Sequence, residues 1–381
     1  MTATQERRPR PDGTPAERPA RPPRVRGALF DRMFVPVVLL ALVVYLSATN
    51  DAFFSRINVT NVLMQASILA IVSFGATFVI MGGQLDLSMG TGSALISVIG
   101  ATVMVDSGSI LLGVGVCLLS GLVLGLVNGL VVTALQVPSF IATLGTMIIC
   151  AGVALALTDG GVVSGLPAGF RSIATGRLLG LPLLVWATAV VFLLLWWLQR
   201  QTVFGYQVLA VGGNAEASRL SGVPVARVRL LVFVLSGVAT AVAALALLVR
   251  VQSGQPNANG TLALEAIAAV VVGGTSLNGG RGSVVRTLWG VLLIAVLRNG
   301  LDLSGISEDY KQVVLGVVFI LAASVDFLRR RLVRDRSRVR GGAAHARPVP
   351  GPETGPETGP APEDGAPSAP PPSVAAVPPP R

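Results

Sequence analysis

The chain has 381 residues, 52% of them apolar and only 13% charged; an ordinary soluble domain carries about 25% charged residues, so the composition excludes a water-covered globule and describes an integral membrane protein. The net charge of +10 comes almost wholly from arginines near the two ends, with Lys311 as the single lysine, a layout unlike the basic face of a nucleic-acid groove. One histidine, His345, in a polar tail and two cysteines, Cys117 and Cys150, inside apolar runs leave no set for a metal cluster, a disulfide framework or histidine-based catalysis.

Residues 1–33 hold six prolines and eight arginines and no apolar run long enough to bury, which predicts a disordered cytosolic tail. A cleavable signal would follow a short basic stretch with an apolar core and a small-residue cleavage site, and that order is not seen. A membrane span needs about 20 residues to cross roughly 30 Å of hydrocarbon. On that measure the uncharged runs between the tails predict ten spans, near 34–49, 60–82, 87–105, 110–134, 139–158, 179–198, 230–249, 262–276, 284–301 and 311–328. The run from Ser107 to Thr158 is too long for one helix and is divided at Gln136-Val137-Pro138-Ser139, where proline lacks a backbone donor and biases its predecessor away from helix. From residue 329 the chain is basic and then rich in proline and glycine, with Gly-Pro-Glu-Thr repeated at 351–354 and 355–358, which predicts a second disordered cytosolic tail over 329–381.

Arginine placement sets the topology. With the amino end in the cytosol, the inner segments hold eight basic residues in the first tail, four in the loop 200–229, Arg281 and Arg286, and nine from Arg329 onward. The outer segments hold five: Arg56, Arg171, Arg177, Arg250 and Lys311. The positive-inside rule therefore places both termini in the cytosol.

Four segments carry candidate chemistry. In Gly82-Gly83-Gln84-Leu85-Asp86-Leu87-Ser88-Met89-Gly90, Asp86 either caps the next helix or marks an unwound stretch bordering a solute path. In Pro138 to Thr146, the hydroxyls of Ser139 and Thr143 serve either helix packing or a polar path lining, and Asn128 divides the same way. In the loop 200–229, Asn214 to Pro224 reads as a short helix capped by Asn214 and stopped by Gly222, with Ala215, Ala217 and Leu220 as an apolar stripe. Such a helix either docks in a partner's groove or lies on the bilayer surface. In Leu264 to Gly282, Glu265 enters an apolar span and bonds either a neighbouring helix or a passing hydroxylated solute, while the glycines around Asn278 form a polar re-entry. The pair Gly82-Gly83 is weakly echoed by Gly273-Gly274, as in the internal repeats of many transporters. No G-x-x-x-x-G-K-[ST] phosphate loop is present.

In this order and spacing the four segments resemble the permease subunits of ATP-binding-cassette sugar importers of the ribose, xylose, arabinose and galactose branch, over roughly residues 35–328. Asp86, Leu87, Ser88 and Gly90 match the family's Gly-Gly-x-Asp-Leu-Ser-x-Gly element, with Gln84 in place of a second glycine. Pro138 to Gly145 match Pro-Ser-Phe-Ile-Ala-Thr-Leu-Gly, and Ala151 replaces a common arginine. Thr202, Phe204, Gly205, Ala210, Gly212, Asn214, Ala217, Leu220, Ser221 and Gly222 fit the coupling-helix segment, from which Tyr206 and Ser218 depart. Ile267 to Gly274 match Ile-Ala-Ala-x-x-x-Gly-Gly, preceded here by Ala263 and Glu265 where the family has Glu-Leu-Asp.

The resemblance implies an all-α membrane protein, a type II-like importer bundle of about ten helices over residues 34–328, in a bacterial plasma membrane. It implies a transport subunit rather than an enzyme. The chain would bind no cofactor and no metal, with ATP and magnesium held by a partner ATPase. The implied partners are that cytosolic ATPase subunit, an extracytoplasmic sugar-binding protein, a second permease copy or paralogue, and membrane lipid; no nucleic acid is expected. Candidate path residues are Asp86, Asn128, Ser139, Thr143, Glu265 and Asn278, and candidate coupling residues are Asn214, Ala217, Leu220, Ser221 and Gly222. A secondary transporter driven by protons or sodium is the rival reading, and it would need more buried carboxylates than Asp86 and Glu265. An intramembrane enzyme is disfavoured, because no nucleophile-base pair stands out.

Overall fold

Long uncharged runs broken by glycine, proline and serine set the helices of this computed structural model, which describes residues 25–307, 309–318, 320 and 324, with side chains from Met33 onward. The chain divides into two units, Met1–Arg330 and Arg331–Arg381, and the second lies outside the described residues. In chain order the elements are α1 (Val25–Thr49), α2 (Arg56–Met81), α3 (Met89–Ser107), α4 (Ile110–Thr133), α5 (Ser139–Thr158), α6 (Ala168–Thr175), β1 (Arg177–Leu178), β2 (Leu181–Pro182), α7 (Leu183–Gln201), α8 (Val203–Gly213), α9 (Ala215–Leu220), α10 (Val225–Val251), α11 (Leu262–Val272) and α12 (Val284–Leu303).

The starts follow local chemistry. Ser55 and Ser109 cap α2 and α4 by accepting the N–H of Asn58 and Leu112, and Pro138 sits just before α5, where its missing donor costs nothing. α4 and α5 thus divide where the proline predicts. Among the described residues seven helices, α2, α3, α4, α5, α7, α10 and α12, are long and apolar enough to cross a membrane. The span expected at 262–276 is the 11-residue α11, about 16 Å long at 1.5 Å per residue; Gly273 and Gly274, the latter at φ +89, end it early. The span expected from 179 starts at 183, because Leu179 and Gly180 both take positive φ in the two-residue turn joining β1 to β2. α1 begins at Val25, ahead of the expected 34, since charge ends an apolar run without ending a helix. Of the tails expected to be disordered, the first is described only from 25, where it is helical, and the second, 329–381, lies outside the described residues. The span expected at 311–328 is helical over 309–318 and otherwise falls mostly outside them.

α2 and α10 form the centre. Every residue from Ala66 to Met81 of α2 is buried, and α10 buries Phe233, Ala243, Ala244 and Leu248 against α2, α3 and α4. Glycines let α4 and α10 touch backbone to backbone: a Cβ at Gly237 would overlap the Gly121 carbonyl oxygen, and one at Gly125 the Phe233 carbonyl oxygen. Membrane helices pack through small residues in this way. The outer faces of α4 and α5 carry exposed Leu111, Leu119, Ile141, Ile148 and Ile149, apolar groups suited to lipid.

Candidate functional site

The segment 82–88 between α2 and α3 is not helical, so its N–H groups need other acceptors; the first three bond back to α2 carbonyls, and α5 supplies two more. Ser139 Oγ accepts from the Leu85 N–H and Thr143 Oγ1 from the Leu87 N–H, both at 3.1 Å. The i, i+4 spacing puts the two hydroxyls on one helix face. Asp86 lies at the centre of a larger network. Its Oδ1 accepts from the Ser88 N–H at 3.0 Å and the Ser88 hydroxyl at 2.6 Å, and its Oδ2 accepts from the Ser236 hydroxyl of α10 at 2.7 Å. Asn128 of α4 donates to Ser88 Oγ at 2.9 Å and accepts from Thr146 Oγ1 of α5 at 2.7 Å. Asp86, Asn128 and Thr143 are 3%, 1% and 0% exposed. Asp86 does not form a simple helix cap, because its bonds fall on the residue before α3 and on a distant helix. Four helices are joined by it, and an unpaired member of such a network would be costly. Ser236 carries no sequence signal beyond a lone hydroxyl in an apolar span.

Glu265 lies apart, in the first turn of α11. Its Oε1 accepts from Arg298 Nη1 of α12 at 2.6 Å and from Thr261 Oγ1 at 2.9 Å. Of the two fates open to it from sequence, the neighbouring-helix bond is therefore present, and Arg298, which in sequence merely interrupts a span, is its partner. The same carboxylate lines a cavity of about 470 Å³ where α2, α10, α11 and α12 meet, bordered also by Gln65, Arg250, Asn257 and Asn259. Sequence reasoning missed these four, since Gln65 is a lone amide inside an apolar span, Arg250 closes one, and Asn257 and Asn259 are two of many polar residues in the loop 252–261.

Asn278 joins neither centre. It is exposed in the turn after α11, and that turn belongs to a clasp of three glycine pairs. The Gly280 N–H donates to the Met81 carbonyl at 2.9 Å. A Cβ at Gly212 would overlap the Met81 carbonyl oxygen, and one at Gly279 would stand 2.6 Å from the Gly212 oxygen. Gln199 tightens the clasp, donating to the Gly282 carbonyl at 3.1 Å and accepting from the Val284 N–H at 2.9 Å.

α8 rides on this clasp and α9 follows it. The sequence predicts only the second of the two helices; α8, with its glycines and period-poor apolar run, reads as loop, yet it buries Val208 and Val211 and lays Phe204 parallel to Phe78 with ring centroids 6.2 Å apart. Asn214 caps α9 as expected, accepting from the Ala217 N–H at 3.0 Å. Gly222 follows it at φ +81. Ser221 Oγ donates back to the Ala217 carbonyl at 2.9 Å. Among the described residues the apolar side of α9 finds no cover: Leu220 is 78% exposed, and Val203 and Tyr206 of α8 are exposed as well. Glu216 and Arg219 pair on its surface at 2.6 Å, and the guanidinium, through its hydrogen bonds and charge, holds the Glu216 carboxyl below the usual carboxylate range.

Residues 58–323 match the protein family described as branched-chain amino acid transport system / permease component. Among curated proteins the chain is 41% identical over 290 residues to the ribose import permease protein RbsC of Bacillus subtilis (strain 168), covering 76% of this chain and 90% of that protein. It is 40% identical over 299 residues to the ribose import permease protein RbsC of Haemophilus influenzae, covering 77% and 92%. It is 34% identical over 308 residues to the L-arabinose transport system permease protein AraH of Escherichia coli (strain K12), covering 81% and 94%. No solved structure matches it significantly.

Proposed function

The chain belongs to the branched-chain amino acid transport system / permease component family, and from that premise we propose that it is the membrane subunit of an ATP-binding-cassette importer for a sugar, a pentose or a closely related small hydroxylated solute. It is a multi-pass inner-membrane protein and a transport subunit. The observation that carries the reading is its similarity to ribose and arabinose permeases over about nine-tenths of their length. The physical need is plain, because moving a hydroxyl from water into hydrocarbon costs about 4–8 kcal/mol.

In this reading ATP and magnesium are bound by a separate cytosolic ATPase subunit, and the chain itself binds no cofactor. A soluble sugar-binding protein delivers the solute from outside, and a second copy or a paralogue completes the path. Both termini face the cytosol, in keeping with the arginine count, with residues 34–328 as the permease domain and 1–33 and 329–381 as its tails. α9 is the docking helix. Its cap, its mount on the clasp through α8 and its uncovered Leu220 support insertion into a groove of the ATPase, with Asn214, Ala217, Ser221 and Gly222 fixing its shape. Of the expected path residues, Glu265 is assigned to the path. Asp86, Asn128, Ser139 and Thr143 are assigned to holding the broken segment that borders it, and Asn278 to the cytosolic turn.

Reconstitution tests the reading. Vesicles holding the chain with its ATPase and binding protein should take up labelled D-ribose or L-arabinose only when ATP is supplied. Uptake by the chain alone that collapses with an ion gradient would overturn it. Leu220→Asp should leave the chain inserted while ATP hydrolysis proceeds without uptake, and normal uptake in that variant would reject the docking role.

A further inference from the structure

The cavity between α2, α10, α11 and α12 differs from every other polar centre described above in that its side chains have hydrogen-bonding capacity left over. Glu265 receives both of its bonds on Oε1, and its Oε2 takes none among the described residues. Arg250 makes no hydrogen bond or ion pair among them, nor do the side chains of Gln65 and Asn257. Asn259 uses only its amide nitrogen, donating to Ser93 Oγ at 3.0 Å. All of these border one space of about 470 Å³, within the range of about 300–1,000 Å³ typical of small-ligand pockets.

The mixture of groups selects a ligand class. A sugar hydroxyl both donates and accepts, and the cavity offers donors from Arg250 and the amides beside acceptors from Glu265 Oε2 and the amide oxygens. Of its three charged residues, Arg298 and Glu265 pair with each other, so the charge left over is the single Arg250 guanidinium in a lining whose other hydrogen-bonding side chains are mainly amides. Scattered polar contacts also suit a station that must release its cargo.

We infer that this cavity is a binding station for a neutral polyhydroxylated solute of monosaccharide size, contacted by Gln65, Arg250, Asn259 and Glu265. Arg298 acts as a positioning residue that occupies Glu265 Oε1 and leaves Oε2 to the solute. This rests on the sugar-import reading and deepens it.

The test uses cells expressing the whole transporter, with labelled D-ribose and L-arabinose as probes and D-gluconate as an anionic competitor. Gln65→Leu and Arg250→Met should each lower pentose uptake tenfold or more at equal membrane levels of the chain. Gln65→Cys should be blocked by a membrane-impermeant thiol reagent and protected by excess pentose, whereas the native chain, whose Cys117 and Cys150 are buried, should be unaffected. Wild-type rates in both substituted chains, together with an unblocked Gln65→Cys, overturn the station while leaving sugar import standing. Stronger competition by gluconate than by unlabelled pentose overturns the neutral class. Failure of the unaltered transporter to move either pentose removes the import reading, and the station with it.

Discussion

Asp86 and Glu265 are both carboxylates 3% exposed in largely apolar surroundings, yet they differ in what their oxygens have left to do. Asp86 accepts three hydrogen bonds over two oxygens, and one of its donors, the Ser88 hydroxyl, itself accepts from Asn128, which in turn accepts from Thr146. Glu265 takes its two bonds on one oxygen and borders open volume. In a chain this apolar, polarity and burial do not distinguish a structural residue from a path residue. What separates them is saturation and adjacent space: a saturated centre ties helices together, and an unsaturated centre beside a cavity has something to offer a solute.

The largest effect that follows is on the saturated side. Asp86→Ala leaves two hydroxyls and one N–H without their acceptor, and at about 0.5–1.5 kcal/mol for each bond the chain should lose about 2–4 kcal/mol of stability. The loss should appear as an early thermal transition of the full chain in detergent, and as a fall in uptake proportional to the folded protein remaining. If the variant melts with the wild type yet uptake alone disappears, Asp86 belongs with Glu265 and the contrast is wrong.

Much of the frame was legible before any coordinates, and the reason is local. Helix starts depend on neighbours within four residues, so Pro138 and the cap at Asn214 announced α5 and α9. The length of α11 also had a local signal in Gly273-Gly274, which the apolar run concealed. Partners across the bundle had none. Nothing near Ser236 says that it faces Asp86, 150 residues away in sequence, and nothing near Arg298 says that it meets Glu265, 33 residues away. Which polar groups of the four segments singled out from sequence are satisfied is a property of helix packing. α8 failed for a related reason, since its burial depends on a glycine clasp made by three separated segments.

On the unsaturated side the expected change in stability is smaller and the change in transport larger. Glu265→Gln keeps an acceptor for Thr261 and Arg298, and Arg298, its side chain 28% exposed, can be hydrated from the cavity. Polar bonds between membrane helices average about 0.6 kcal/mol, so the melting shift should correspond to about 1 kcal/mol or less. Pentose uptake should nonetheless fall severalfold, because the amide replaces the charged acceptor left free for a hydroxyl. A large melting shift with a matching loss of uptake would make Glu265 a structural residue like Asp86.

The smallest effect is expected at the surface pair on α9, which is neither buried nor beside the cavity. Because Arg219 depresses the Glu216 pKa, whatever the pair contributes is fully present above the ordinary carboxylate value, near 4.5, and is lost only as pH falls through the lower, folded value. Between pH 8 and pH 5.5 the pair should therefore stay intact, and exposed pairs contribute little in any case. Glu216→Gln should melt with the wild type across that range and should show the same pH profile for ATP-driven uptake. A variant that uncouples as pH falls would mean that the α9 surface is buried in the assembled transporter, where Glu216 would be held as closely as Asp86.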